Sequence, residues 1–270
     1  MRYTAIPLLL ALAFPVWGDF YEGLDAYQRG DHLTALKSWR SLAIQGNASA
    51  QYDLGLVYLS GKGLPKDPVK ASYWVRKSAY QKLPRAMAML GTMYEQGLGV
   101  AQNYKEASSW YHKAAEEGDP LGQFRLGMLY KSGKGVSRDY SQAMHWLLFS
   151  SERGLAPAQY NLATMYYKGE GVPKRFQKAL KWHTKAAAQG NINSLITLGV
   201  MHFKGEGVSR NLSEAYSWWA TAVAAGDDGS ARTRDAVAAM MSDRELRHAK
   251  TIAEDKIRRL LAETEGKKKH

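Results

Sequence analysis

Residues able to hold a metal or move a proton are thinly spread along this chain of 270 residues. It has seven histidines, and no two of them show the H-E-x-x-H spacing that places two imidazoles and a carboxylate on one helical face. Cysteine is absent, which removes a thiolate nucleophile, a Cys-based zinc site and a disulfide framework. A phosphate-cradling loop is approached at Gly55, Gly61 and Lys62. However, five residues separate the glycines instead of four, and Gly63 stands where a hydroxyl must reach Mg²⁺. The acyl-transfer motifs S-x-x-K and G-x-S-x-G do not occur, and Lys131-Ser132-Gly133, a superficial K-[ST]-G box, falls on a periodic turn. No catalytic set, metal set or cofactor loop emerges, so the chain reads as a non-enzyme.

What remains is charge, aromatic residues and glycine. Lys+Arg number 37 and Asp+Glu 25, a formal net charge of +12, with 45% apolar residues. That composition folds, and its charge steers anionic partners over a range set by salt. Residues 1–18, MRYTAIPLLLALAFPVWG, have a basic Arg2, a short apolar core from Ile6 to Phe14, and Val16 and Gly18 at −3 and −1. This layout predicts a secretory leader cleaved near Gly18, too short to span a bilayer of about 30 Å. No cysteine follows it, so no lipid anchor is expected, and no later run is apolar enough to cross a membrane. A periplasmic or secreted protein is expected, for which nucleic acid is not a natural partner.

The elements are set by a repeat. Ala35, Ala71, Ala107, Ala143, Ala179 and Ala215 recur every 36 residues, and Trp74, Trp110, Trp146, Trp182 and Trp218 follow at the same interval. The Gly-x-Gly pairs beginning at Gly61, Gly97, Gly133, Gly169 and Gly205 keep step with them. A fixed period of this size means a repeat architecture. Each unit reads as two helices. The first has Ala50, Leu54 and Tyr58 on one stripe, a small residue at Gly55 for close approach, and a glycine stop where a positive φ is needed. The second carries Ala71, Trp74 and Ala79. No unit alternates with period two. The predicted fold is all-α, an α/α solenoid of about six two-helix repeats with a C-terminal capping helix.

The pattern A-x-A-Q-x-x-L-G-x-x-Y-x-x-G-x-G-V followed by A-x-x-W, clearest over Ala50–Trp74 and Ala158–Trp182, resembles the Sel-1-like repeat, a relative of the tetratricopeptide repeat. The resemblance covers residues 47–226. Lys82–Pro84 in place of the usual Gly, Ala163 for Gly and His202 for Tyr depart from it. Residues 19–46 lack the Gly-x-Gly insertion and read as a tetratricopeptide-like capping hairpin. Residues 227–265 read as C-terminal capping helices, the last opened by a Ser242/Glu245 capping box, and 266–270 as a basic tail. The resemblance implies a scaffold or regulator that binds another envelope or secreted protein in a concave groove, without a cofactor.

By that similarity, register places Tyr52, Phe124, Met128, Lys131, Tyr160, Tyr167 and Phe203 on the groove, a strip of the kind enriched where proteins dock. Tyr52 and Tyr160 are equally open to a packing role. Phe124, Lys131, Tyr167 and Phe203 depart more from repeat regularity and are favoured as contacts. Lys62, Lys66, Lys134, Arg138, Lys168, Lys174, Arg175, Lys204 and Arg210 recur around the turns and predict a basic edge. Such an edge offers a second possibility, binding of an anionic envelope glycan, beside the plain role of a solvated surface. A secreted factor that docks a host protein is a third.

Overall fold

A computed structural model of the chain describes the backbone of residues 14–268 and the side chains of residues 20–263. Most of the expected leader, residues 1–13, lies outside the described residues, and α1 starts at Phe14. Among the described residues every regular element is helical. The helices gather into two compact units. The first, up to Gly122 and including Lys134–Ser137, holds α1 (Phe14–Gln28), α2 (His32–Ile44), α3 (Ala48–Ser60), α4 (Pro68–Tyr80), α5 (Pro84–Gln96) and α6 (Tyr104–Glu116). The second takes up α7 (Pro120–Ser132) from Gln123. It continues with α8 (Tyr140–Glu152), α9 (Ala156–Lys168), α10 (Phe176–Ala188), α11 (Ile192–Lys204), α12 (Leu212–Ala224), α13 (Gly229–Ala238) and α14 (Asp243–Lys268). Within each unit consecutive helices pack as antiparallel pairs, the α/α solenoid arrangement expected from the period.

Local chemistry accounts for the helix ends. The carboxylate of Asp67 and the side-chain oxygens of Asn103 and Asn211 accept hydrogen bonds from the amides of Lys70, Glu106 and Glu214, satisfying first-turn donors that lack an intrahelical partner. First helices stop on a left-handed glycine, as at Gly97, φ 71°. The second glycine of that pair, Gly99, is required twice over. Its φ is 70°, and a Cβ there would collide with the carbonyl of Pro68 at the start of the preceding second helix.

The pair's interior is built by one spacing. A small residue of the first helix receives the side chain twenty positions on: Gly55 takes Val75, Gly91 Tyr111, Gly127 Leu147 and Gly199 Trp219. A Cβ at Gly91 would lie 2.6 Å from the Tyr111 ring, so the fully buried tyrosine needs that glycine. In the fourth pair Ala163 stands opposite His183 in register, a smaller ring facing a larger neighbour. The N-terminal hairpin keeps the device with a shorter spacing, Gly23 lying under buried Trp39.

The last helix departs from the repeat. Ser242 and Glu245 exchange bonds at its start, with Ser242 N donating to Glu245 at 2.8 Å and Glu245 N to Ser242 at 3.4 Å. Ala249, Ala253 and Leu260 are buried along α14, which packs on α12 and reaches α10.

Candidate functional site

In the second unit, α7, α9 and α11 carry six of the seven residues assigned to the groove. Phe124 and Met128 on α7, Tyr160 and Tyr167 on α9, and Phe203 on α11 are all half-buried. Their inner sides belong to the core. Phe124, Met128 and Tyr167 pack on the cluster around Leu162 and Met165, and Phe203 lies 6.1 Å from Trp219. Tyr160 is 5.9 Å from His183, ring to ring. Only their outer edges are left for a partner.

The polar members of the strip are engaged within the chain. Lys131 Nζ lies 2.8 Å from Glu170, and the Tyr167 hydroxyl donates to Glu206 at 2.6 Å. Both bonds span 39 residues and link the last turn of one first helix to the middle residue of the next Gly-x-Gly turn. The same two phases hold Leu59 and Leu98, which share a hydrophobic cluster, and Glu95 and Lys134, a complementary pair. Residue types therefore change together, apolar with apolar and acid with base. Burial, with the Glu206 hydrogen bond and charge, pushes the Tyr167 hydroxyl up to about 12. Lys131 and Tyr167 thus tie successive repeats, which the reading of them as contacts had not included. Glu170 and Glu206 were missed, although their variation in step with Lys131 and Tyr167 was a signal available in register.

Tyr52 lies in the first unit, half-buried under the Arg85 guanidinium, 4.8 Å from the ring centroid. Beside it Asp53 is 4.0 Å from Arg85. Burial raises the Asp53 carboxyl to about 6 against the opposing pull of that arginine. Buried His183 is displaced in the opposite direction. Its Nδ1 sits 3.1 Å from Ser194 Oγ, its Nε2 has no hydrogen-bond partner, and desolvation lowers its pKa to about 4.

All nine basic residues assigned to the turns are exposed. Several lie over aromatic rings: Lys62 over Tyr27 and Lys134 over Tyr104 in the first unit, Arg138 over Tyr140 and Arg210 over Phe203 in the second. Arg210 Nε also donates to the Phe203 carbonyl at 3.1 Å. Lys168 approaches Glu170 at 4.0 Å. Lys66, Lys174, Arg175 and Lys204 extend the charge along the turns. Among the described residues no group of three His, Asp or Glu side chains converges to hold a metal ion, and no helix is long and apolar enough to cross a membrane.

Paired antiparallel helices with glycine-stopped first members define an all-helical repeat protein. The Sel1 repeat model matches residues 48–83, 84–119, 120–155, 156–191 and 194–227, more than half of the chain, and the chain belongs to the Sel1 repeat family. This repeat commonly mediates protein–protein interaction and is a scaffold type, not an enzymatic one. Among solved structures, a Sel1 repeat protein from Oxalobacter formigenes is 28% identical, with TM-score 0.75, over 87% of this chain and 99% of that one. A putative Sel1 repeat protein from Klebsiella pneumoniae shares 23% identity over 75% of this chain and 98% of that one, with TM-score 0.50. An immunity protein from Pseudomonas aeruginosa shares 20% identity over 84% of this chain and 81% of that one, also with TM-score 0.50. No curated protein matches the chain in sequence.

Proposed function

We propose that this chain is an exported, periplasmic interaction scaffold that binds a partner protein on the first-helix face of its repeats. The observation that carries the reading is the set of Phe124, Met128, Tyr160 and Phe203 in the second unit, each half-buried, on the successive first helices α7, α9 and α11. Aromatic and methionine side chains held rigid by their own core lose little entropy on binding and are the usual anchors of a protein interface. The leader at residues 1–18 supports export. The exposed cations favour one second reading, an anionic envelope glycan bound along the basic turns.

The test is affinity capture from envelope extract with tagged chain starting at Asp19, at low and high salt, alongside the variant Phe124→Ala/Tyr160→Ala. A single protein retained at both salts and lost with the double variant is the expected result. Retention of polysaccharide alone, disappearing at high salt, would move the assignment to the basic turns. Capture unchanged by the double variant would reject the first-helix face.

A further inference from the structure

The second helices carry a sequence ladder of tryptophans, each covered by the side chain three residues on. Lys77 lies 5.5 Å from the Trp74 ring, Lys113 4.1 Å from Trp110, Phe149 6.2 Å from Trp146, and Lys185 4.5 Å from Trp182. Trp218 breaks the series, because Thr221 follows it. There α14 supplies the cation: Lys256 sits 4.5 Å from the Trp218 ring and bonds Glu214 at 2.8 Å and Ser217 at 3.0 Å.

A second series explains where crevices open beside this ladder. Gln51 donates to the Ala43 carbonyl at 3.0 Å, and Gln81 closes over it, donating to Gln51 at 2.8 Å and to the Gly46 carbonyl at 2.9 Å. The second unit repeats this clasp with Gln159 and Gln189, at 2.9 Å, and replaces it with Gln123 and Arg153 at 3.2 Å in the preceding repeat. At the two remaining positions of that phase stand Met87 and Leu195, and thirty residues on are Glu117 and Ala225 in place of the closing glutamine. Both places hold a crevice, of about 310 Å³ at Met87 and about 370 Å³ at Leu195.

At Leu195 one wall of the crevice is α14 itself. Its Leu260 is buried against Ala187, Leu195, Leu198 and Ala222, its tip is 3.6 Å from where a Cβ on Gly190 would be, and Lys256 and Arg259 line the crevice beside it. The Met87 crevice, in the first unit, is walled by Ala79, Tyr80, Met87, Trp110 and Lys113 of α4, α5 and α6. Tyr80 is 70% exposed and stands edge-on to Trp110 at 5.4 Å. Lys82 lines it too, where the other repeats have glycine, and its φ is 62°. A lysine held in the left-handed region is strained, and strain of that kind gathers at binding sites. Three departures from the repeat, Lys82, Met87 and Glu117, therefore line one crevice.

We propose that the Met87 crevice seats one amphipathic helix of a partner protein, which inserts a leucine-sized side chain against Met87 and Trp110 as α14 inserts Leu260 beside Leu195. The chain itself shows what covers the residue at this phase, an amphipathic helix that buries one leucine beside Leu195. Lys113 already covers Trp110, so the incoming helix need not bring the cation that Lys256 brings to Trp218. Its flanks meet Lys82, Glu116 and Glu117, and charges of both signs around the leucine complement them. This seat lies between the second helices α4 and α6 and the start of α5, and it uses none of the residues assigned to the first-helix strip.

The probe is a fluorescein-labelled peptide of residues 243–263, added to the full chain and followed by anisotropy. Saturable binding with Kd of tens of micromolar, roughly, is expected. Met87→Gln/Glu117→Gln rebuilds the clasp seen at Gln51 and Gln81, and should weaken binding at least tenfold with an unchanged helical spectrum. Tyr80→Ala, at an exposed position, should weaken it several-fold, and a peptide with Leu260→Gln should not bind. No saturation up to about 1 mM would overturn the proposal. Binding equal in the rebuilt variant would place the peptide at the seat of α14 and overturn it as well. Self-association of the chain abolished by the rebuilt clasp would make a second copy, not a partner, the occupant.

Discussion

Two buried titratable side chains give the units opposite responses to acid. His183 has its pKa lowered from 6.5 to about 4 by burial, so between those values the unfolded chain binds more protons than the folded one. Its contribution is intact above pH 6.5 and is lost as pH falls toward 4. Asp53 is raised from 3.8 to about 6, so over that range the folded chain binds more protons, and its effect runs the other way. Folding is helped by the neutral carboxyl at low pH and is weakened as pH rises through 6. His183→Gln, which keeps a partner for Ser194, should flatten the acid loss of the second unit by about 2 kcal/mol between pH 7.5 and 4.5. Asp53→Asn should stabilise the first unit by about 1 kcal/mol at pH 7.5 and hardly at all at pH 3.5. Urea unfolding at these pH values, read through amide exchange in each unit, measures both. Parallel pH slopes in variant and parent would show that neither side chain governs acid stability.

At the level of elements, the bonds that tie repeat to repeat are complementary pairs, and complementarity can be exchanged. Lys131 and Glu170, with side chains 21% and 28% exposed, are sheltered enough to matter yet remain partly screened. Each single reversal, Lys131→Glu or Glu170→Lys, should destabilise, and the double reversal should recover most of the loss. A coupling of about 1 kcal/mol is expected, smaller at high salt. A double-mutant cycle by thermal unfolding with no coupling would mean that turn geometry alone aligns these repeats. Such pairs also show what the sequence made readable. Helix class and pairing were legible because identical residues return every 36 positions: Ala71, Trp74 and Gly61 announce themselves by sameness. The ties at 30 and 39 residues vary from repeat to repeat, as Gln with Gln, Gln with Arg, Lys with Glu and Tyr with Glu, so a search for sameness passes over them. Lys131 and Tyr167 looked like free contacts because their partners sit in turns that periodicity marks only as glycine stops. The seat of α14 was hidden for a related reason. Its stripe of Leu246, Ala253, Ile257 and Leu260 reveals an amphipathic helix but not the face that receives it.

For the whole molecule, the consequence of building from local pairs is that stability should be local too. Each helix pair contacts its sequence neighbours, so a repeat protein's free energy is close to a sum of unit and neighbour terms, without a single central core. The largest fully buried side chains are distributed accordingly: Leu54 and Leu90 lie in the first unit, Leu162 and Leu198 in the second. Removing one creates a cavity with an expected cost of about 3 kcal/mol. In a one-core protein that cost would be felt by every slowly exchanging amide. Here Leu198→Ala should lower protection through α11, α12 and the part of α14 that holds Leu260, since these share a cluster with it. Amides of α3 to α6 should keep their parent rates. Leu90→Ala should do the converse, with α4 to α6 losing protection and α10 to α12 unchanged. Hydrogen exchange by mass spectrometry on both variants decides the matter. An equal loss in both units from either substitution would mean that they unfold as one block. Separate losses would mean that the face proposed for a partner in the second unit and the Met87 crevice of the first can be ordered or released one at a time, so that a ligand at one need not stabilise the other.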